Sequence, residues 1–344
     1  MGMLNEKDTY LRLETEKEQF LMQTIDKHDQ HESEKTHHQQ KEQAISIADR
    51  AKPLARSVLR TSSQTYRRLT SDMRVMPDFL IIGGQRCGTS SLYYYLTEQH
   101  GIISAATKEV HFFDDFYARG LDWYRAQFPA NAYKRYIETV HKRRFITGEA
   151  SPYYIFHPQA PIRISQTLPH LKIIALLRNP IDRAYSQHWL EVKGKYETLP
   201  FEEAIKREPE RIAGEREKLL ADGNYHSFNH RRFSYLTRGI YVDQLEYWMS
   251  FYPREQFLIL KTEDLYSKPA SVMQITLEFL GVPPDQIDTN KVYKKYKVPS
   301  PTGFKMKDEA PKMDPGLRGE LVEYFRPYNA RLSEFLGRDF EWDK

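Results

Sequence analysis

From Pro77 onward, short runs of consecutive apolar residues alternate with stretches whose apolar residues recur every three or four positions. The runs lie at Phe79–Ile82, within Lys172–Leu177, and at Phe257–Leu260. Each reads as a strand buried on both faces of a parallel sheet. Gly83-Gly84 ends the first run, Arg178-Asn179-Pro180 follows the second, and Pro253-Arg254 leads into the third. Helical spacing predicts a helix over Ser90–Gln99, with Leu92, Tyr95 and Leu96 on one face and His100-Gly101 closing it. Another runs through Tyr185 and Trp189, and further helices are expected at Phe201–Arg207, Tyr241–Phe251, Ala270–Leu280 and Gly316–Leu336. Strands separated by helices imply βαβ units, hence an α/β fold: an open parallel sheet flanked by helices. In such sheets ligands gather beyond the carboxyl ends of strands, so the loops after Ile82 and Leu177 are the places to look.

The first 76 residues follow a different pattern. Glu, Lys, Gln, Asp and His dominate, and Leu11, Leu13, Phe20, Leu21 and Ile25 give a helical repeat that dies out over residues 28–43. A polar, partly helical or disordered extension (1–76) ahead of one domain (77–344) is the organisation expected. The extension is a candidate for self-association. Its His28, His31, His37, His38 cluster reads as a solvated run and is assigned no metal. A basic approach segment over 51–74 carries Arg56, Arg60, Arg67, Arg68 and Arg74.

Composition narrows the classes. The chain has 344 residues with 51 Lys+Arg against 47 Asp+Glu, a net charge of +4. That is too mild for a nucleic-acid binder yet compatible with an anionic ligand. One cysteine, Cys87, leaves no internal disulfide and no cysteine-built zinc site. No apolar run approaches the ~18 residues of a membrane helix, and no apolar signal core is visible near Met1. On these grounds the protein is expected to be cytoplasmic.

The candidate chemistry begins in the loop after the first strand, Gly83-Gly84-Gln85-Arg86-Cys87-Gly88-Thr89-Ser90-Ser91. Glycines let the backbone turn back and aim its N–H groups, and the helix start adds about half a positive charge. Gly83 and Gly88 have the spacing of a nucleoside-triphosphate loop, but Thr89 stands where its lysine belongs. Arg86 supplies a cation inside the loop instead, and Thr89, Ser90 and Ser91 supply hydroxyls for phosphate oxygens. A tight turn without ligand is the plainer alternative.

With these residues in view, the chain resembles the sulfotransferases that use 3′-phosphoadenosine 5′-phosphosulfate (PAPS), most nearly the heparan sulfate 3-O- and N-sulfotransferases and their soluble bacterial relatives. Gln85–Leu92 is similar to the family's 5′-phosphosulfate loop. Arg178-Asn179-Pro180, with Ser186 eight residues after the arginine, is similar to its 3′-phosphate motif. The stretches 108–114, 148–154, 238–241 and 325–329, with the terminal 339–342, follow in family order. The resemblance implies a P-loop-like sulfotransferase fold and transfer of the PAPS sulfuryl group to a hydroxyl or amine of a carbohydrate or small metabolite. It also implies that Gln85, Arg86, Cys87, Gly88, Thr89, Ser90, Ser91, Arg178 and Ser186 bind the donor. A forked guanidinium at Arg178 suits the 3′-phosphate that distinguishes PAPS from ATP.

Glu109 matches the family's general base, and His111 is the rival, since other branches use histidine. An extended chain over Glu109, His111 and Phe113 would put both on one side. Lys108, His111 and Glu149 are expected to hold the acceptor. Arg86 would stabilise charge on the leaving phosphate, but unlike the family's usual lysine it cannot readily donate a proton. The transferred SO₃ is neutral, so no metal is expected. Ala150 replaces another usual lysine, and Lys305 with Lys307 stands in for a missing late phosphate loop, or else is plain surface. The charged insertion from Lys193 to Arg232 is either an acceptor wall or a surface excursion. Two alternatives remain beside the sulfotransferase: a non-catalytic nucleotide-binding scaffold, and a nucleotide-dependent kinase, which Thr89 in the lysine slot argues against.

Overall fold

The computed structural model describes residues 63–283 and 312–343. Most of the extension, including its histidine cluster, lies outside the described residues, as do Lys305 and Lys307. Five strands form one all-parallel sheet: β1 (Phe79–Gly83), β2 (Ile102–Ser104), β3 (Ile146–Ala150), β4 (Lys172–Leu177) and β5 (Phe257–Lys261), in the order β2-β3-β1-β4-β5. Phe79 pairs with Gly148 on one side and with Lys172 on the other. The expected α/β sheet is present, and β1, β4 and β5 fall on the three apolar runs.

β2 and β3 were not expected as strands. β2 has only three residues, and β3 reads Ile-Thr-Gly-Glu-Ala, with no continuous apolar run to announce it. Both are parallel-paired strands all the same. Gly148 is needed in β3 because a Cβ there would lie 2.4 Å from the Phe79 carbonyl oxygen across the sheet.

The core explains why β1 is apolar at every position. Phe79 and Ile81 face Leu92 and Leu96 of helix Thr89–Thr97 and Met273 and Leu277 of helix Pro269–Leu280. Leu80 and Ile82 face the opposite layer, with Ile164, Tyr154 and Trp248. Burial on both faces requires side chains of both strand parities to be apolar.

β1 is flanked by strands that lead away in opposite directions, so the sheet's switch point lies at its carboxyl end. Around that point the C-terminal residues close the fold. Asn179 Nδ2 donates to the Trp342 carbonyl at 3.3 Å, and Lys261 Nζ donates to the Phe340 carbonyl at 2.6 Å.

The residues just before Pro77 belong to the same compact unit. Arg67 Nε donates to the Ala126 carbonyl at 2.7 Å, and Arg74 Nη1 donates to that of Phe128 at 3.1 Å. These two arginines of the basic segment therefore pin residues 63–76 to the domain.

Candidate active site

Two loops meet beyond β1 and β4. The first turns tightly at Gly88, whose φ of +84° favours glycine, and a Cβ there would come within 2.9 Å of the Tyr266 hydroxyl. Gly88 is the N-cap of helix Thr89–Thr97 and makes no side-chain cap bond, so the cap leaves the first-turn N–H groups to an anion. Thr89 and Ser91 are buried and Ser90 is half-buried. Cys87 is fully buried: its thiol faces Tyr241, burial pushes its pKa up, and its carbonyl accepts from Thr262 Oγ1 at 2.7 Å. Cys87, expected at the donor, is instead enclosed, its N–H donating to the Gly84 carbonyl at 3.1 Å, and it packs the loop from within.

The second loop is set by Asn179 and Pro180. Asn179 Oδ1 accepts from the N–H groups of Ile181 and Asp182, and Pro180 occupies the first turn, so helix Pro180–Lys193 starts directly after the strand. Arg178 is thereby held at the strand end, its carbonyl accepting from Tyr241 Oη at 2.8 Å. Ser186 lies two turns into the helix.

The structure joins the two loops. Arg86 Nε donates to Ser186 Oγ at 2.9 Å, and Arg178 Nη1 donates to the Arg86 carbonyl at 3.3 Å. Burial and then the neighbouring Arg178 lower the Arg86 pKa. Two half-buried guanidiniums that repel each other, beside a free helix N-terminus, fit an anionic donor. Arg86 has a φ of +69°, unusual for a side-chain-bearing residue.

The second half of the site surrounds His111, the other such residue here, with a φ of +53°. Its Nδ1 lies 2.7 Å from Asp114 Oδ2 and its Nε2 lies 3.3 Å from Glu109 Oε2. Glu109 also accepts from Lys108 Nζ at 2.5 Å. Burial raises the Glu109 pKa, but the hydrogen bond from His111 and the Lys108 charge outweigh it, bringing the group to about 2. Burial lowers the His111 pKa, yet the two carboxylates prevail and hold it at about 10. The imidazole is therefore charged at neutral pH and cannot take a proton. Glu109 and His111 do meet, but through a left-handed turn at His111 and not along the extended chain expected.

Glu149, expected at the acceptor, is enclosed instead. Its Oε2 accepts from Val110 N at 3.2 Å and Ser151 Oγ at 2.7 Å, and its Oε1 from Tyr124 Oη at 3.0 Å and Tyr154 Oη at 3.2 Å. It has no exposed surface, so it cannot touch a substrate and supports the 109–111 segment from beneath. Its inward aim follows from β3 being buried on both faces. Burial raises its pKa to about 7 against the pull of those donors.

Sequence reasoning did not assign roles to Asp114, Asp115, Arg231, Arg238 or Tyr153. Asp115 pairs with Arg231, whose Nη2 lies 3.5 Å from His111 Nε2. The His111–Asp114 spacing of three was readable. The arginines were not, because they arrive from more than a hundred residues away. His111, Asp114 and Asp115 bring potential metal-ligating atoms within 4.8 Å of one another, and each is engaged in an ion pair. A cleft beside this cluster is lined by Asp115, Phe116, Tyr153 and His157 together with Leu219, His226, Phe228, Arg231 and Arg232 from the 193–232 insertion.

A helix-flanked parallel sheet with an anion-ready loop at its switch point defines the class as an open α/β fold with an anion site beyond β1 and β4. Residues 76–340 match the sulfotransferase domain, and the chain belongs to that family. It is 30% identical to a sulfotransferase from Alicyclobacillus acidocaldarius, covering 78% of this chain and all of that one, with a TM-score of 0.55. It is 27% identical to the membrane-associated sulfotransferase kil1 of Dictyostelium discoideum, over 78% of this chain and 66% of kil1. It is 26% identical to mouse heparan sulfate glucosamine 3-O-sulfotransferase 5, over 82% of this chain and 78% of that protein. The match thus spans about two thirds to four fifths of these curated relatives.

The expected family and enzyme class stand. The cytoplasmic expectation does not, because kil1 is named membrane-associated. Among the described residues no helix is long and apolar enough to cross a membrane, but the sequence argument for the cytoplasm rested on absences (of a span, a signal core and a disulfide), which do not fix location.

Proposed function

We propose that this chain transfers the sulfuryl group of PAPS to a hydroxyl or amine of a carbohydrate or small metabolite, with Glu109 as general base. The observation that carries the reading is the 2.9 Å bond from Arg86 to Ser186, which unites the loop after β1 with the motif after β4. Their combined surface offers Arg178 and Ser186 to a 3′-phosphate, and the helix N-terminus, Arg86 and the 88–91 segment to a 5′-phosphate. PAPS, when bound, supplies an activated sulfuryl group on a phosphate leaving group.

The chain's own residues do the rest. Ser186 and Arg178 orient Arg86, so its charge is fixed before reaction and can offset charge on the leaving oxygen. Glu109 stays ionised, and its exposed carboxylate accepts the acceptor's proton. A base with so low a pKa is effective if that proton moves late, as a loose transition state with little bond formation to the nucleophile allows. His111, charged and clamped by Asp114, orients Glu109 and is not the base. Lys108 holds the other Glu109 oxygen and lies at the acceptor entrance.

The cleft beside Asp115 and Arg231 supports an acceptor wall built from the 193–232 insertion. The glycan-named relatives favour a sugar among acceptor classes. Thr89 in place of the triphosphate-loop lysine speaks against a kinase. Incubation with labelled PAPS and a panel of glycans, phenols and amines tests the proposal. Label transfer to at least one glycan or amine is expected, and no transfer to any acceptor despite donor binding would leave a scaffold.

A further inference from the structure

We propose that Arg238 couples the donor loop to the acceptor side of the site, acting as a positioning residue; this rests on the donor-loop reading above. Arg238 is fully buried. Its Nη1 donates to Gln85 Oε1 in the loop after β1. Its Nη2 donates to the carbonyls of His230 at 3.0 Å and Arg231 at 2.8 Å. A single rigid guanidinium therefore holds the phosphate loop and the 230–231 backbone at once.

From that backbone the connection continues to the proton-transfer group. The Arg231 side chain pairs with Asp115 and sets its charge 3.5 Å from His111 Nε2, a like-charge approach that presses His111 toward Glu109, 3.3 Å away. The platform between the two arginines is Tyr153. The Arg231 guanidinium carbon lies 5.1 Å from its ring centre and that of Arg238 lies 5.2 Å away, within cation–π range. The Tyr153 hydroxyl is 2.8 Å from His230 Nδ1, which fixes the ring on the same segment.

Burying a guanidinium is costly unless its donors are satisfied, and Arg238 meets carbonyl oxygens on the acceptor side and only Gln85 on the loop side, while its buried Nε meets no acceptor. Gln85 is thus the junction where the loop's state enters the network. A phosphate bound on the loop restricts Gln85, and Arg238 passes that restriction to residues 230–231, narrowing the positions open to Arg231 and His111. The coupling is reciprocal, so an acceptor that orders Arg231 tightens donor binding by the same factor.

Amide hydrogen exchange on the full chain, with and without saturating 3′,5′-adenosine bisphosphate, tests this. In the wild type the bisphosphate is expected to slow exchange at 84–91 and also at 228–232, the latter by about fivefold, the lower end of typical couplings. In Arg238→Met, checked by circular dichroism for retained fold, slowing at 84–91 should persist while that at 228–232 is lost. Arg238→Lys, which keeps the charge without the fork, should behave alike. Equal slowing at 228–232 in wild type and either variant, or slowing at 84–91 alone in the wild type, overturns the coupling and leaves the donor site intact. No slowing anywhere overturns the donor site, and the coupling with it.

Discussion

His111 stands 3.3 Å from Glu109 as the centre of two ion pairs, with Asp114 2.7 Å away on its other nitrogen. The pairs set the protonation of both partners. The folded pKa of His111 is raised to about 10, so its contribution to stability is complete below the ordinary histidine range and is lost as pH rises through about 10. The folded pKa of Glu109 is depressed to about 2, so its contribution is present above the ordinary carboxylate range and is lost as pH falls through about 2. Neither group titrates near neutrality. These two groups should therefore put no limb on the kcat/KM of sulfuryl transfer between about pH 5 and 9, and any shallow change near pH 7 should be lost in Glu149→Gln. A limb near pH 6.5 that disappears in His111→Gln would move the base to histidine.

Replacing Glu109 by Gln removes the proton acceptor and keeps the shape. Transfer should fall by about 10²–10⁴-fold, the usual worth of a positioned general base. Affinity for 3′,5′-adenosine bisphosphate should stay within about twofold, because the bonds of Glu109 run to Lys108 and His111 and those of Arg86 to Ser186. Steady-state rates and calorimetry on one preparation check both halves. Undiminished turnover would remove Glu109 from the mechanism.

Arg178→Ala is expected to weaken bisphosphate binding by about 2 kcal/mol, the cost of losing a charged hydrogen-bond donor. Adenosine 5′-monophosphate, which lacks the 3′-phosphate, should bind wild type and variant almost equally. Equal losses for both ligands would assign Arg178 to the loop's architecture and not to the 3′-phosphate.

Glu149 gives a prediction of opposite sign to Glu109. Its folded pKa is raised to about 7, so between the ordinary glutamate range and pH 7 the folded chain retains a proton that the unfolded chain has lost. Wild-type stability should fall across that window by roughly 3 kcal/mol from this group. Denaturant titrations of wild type and Glu149→Gln at about pH 5 and pH 8 would show it. The variant's deficit relative to wild type should be larger at the acid end. A difference independent of pH would mean that Glu149 is ionised throughout.

The legible parts of the molecule were those written in consecutive residues. β1, β4 and β5 announce themselves because a strand covered on both faces must be apolar at every position. β3 does not: its Thr147 and Glu149 are buried by satisfying their polar groups, Thr147 on the Ile103 carbonyl and Glu149 on four donors. The two phosphate loops were readable as motifs, but nothing in the sequence placed Arg86 against Ser186, 100 residues on. Motif matching took Glu149 for a substrate contact, yet every residue of its motif, 148–154, is buried. Burial of β3 on both faces decides its direction, and that is a property of the sheet. Arg238 lay in a recognised motif without a role. Its contacts with Gln85 and the 230–231 carbonyls exist only after the 193–232 insertion has folded back.

The central claim is that the loops after β1 and β4 together bind a 3′-phosphorylated adenine nucleotide. Isothermal titration of the full chain with 3′,5′-adenosine bisphosphate, set against ATP with Mg²⁺, tests it most directly. The account predicts at least about tenfold, or 1.4 kcal/mol, tighter binding of the bisphosphate. Equal or tighter binding of ATP–Mg²⁺ would contradict it.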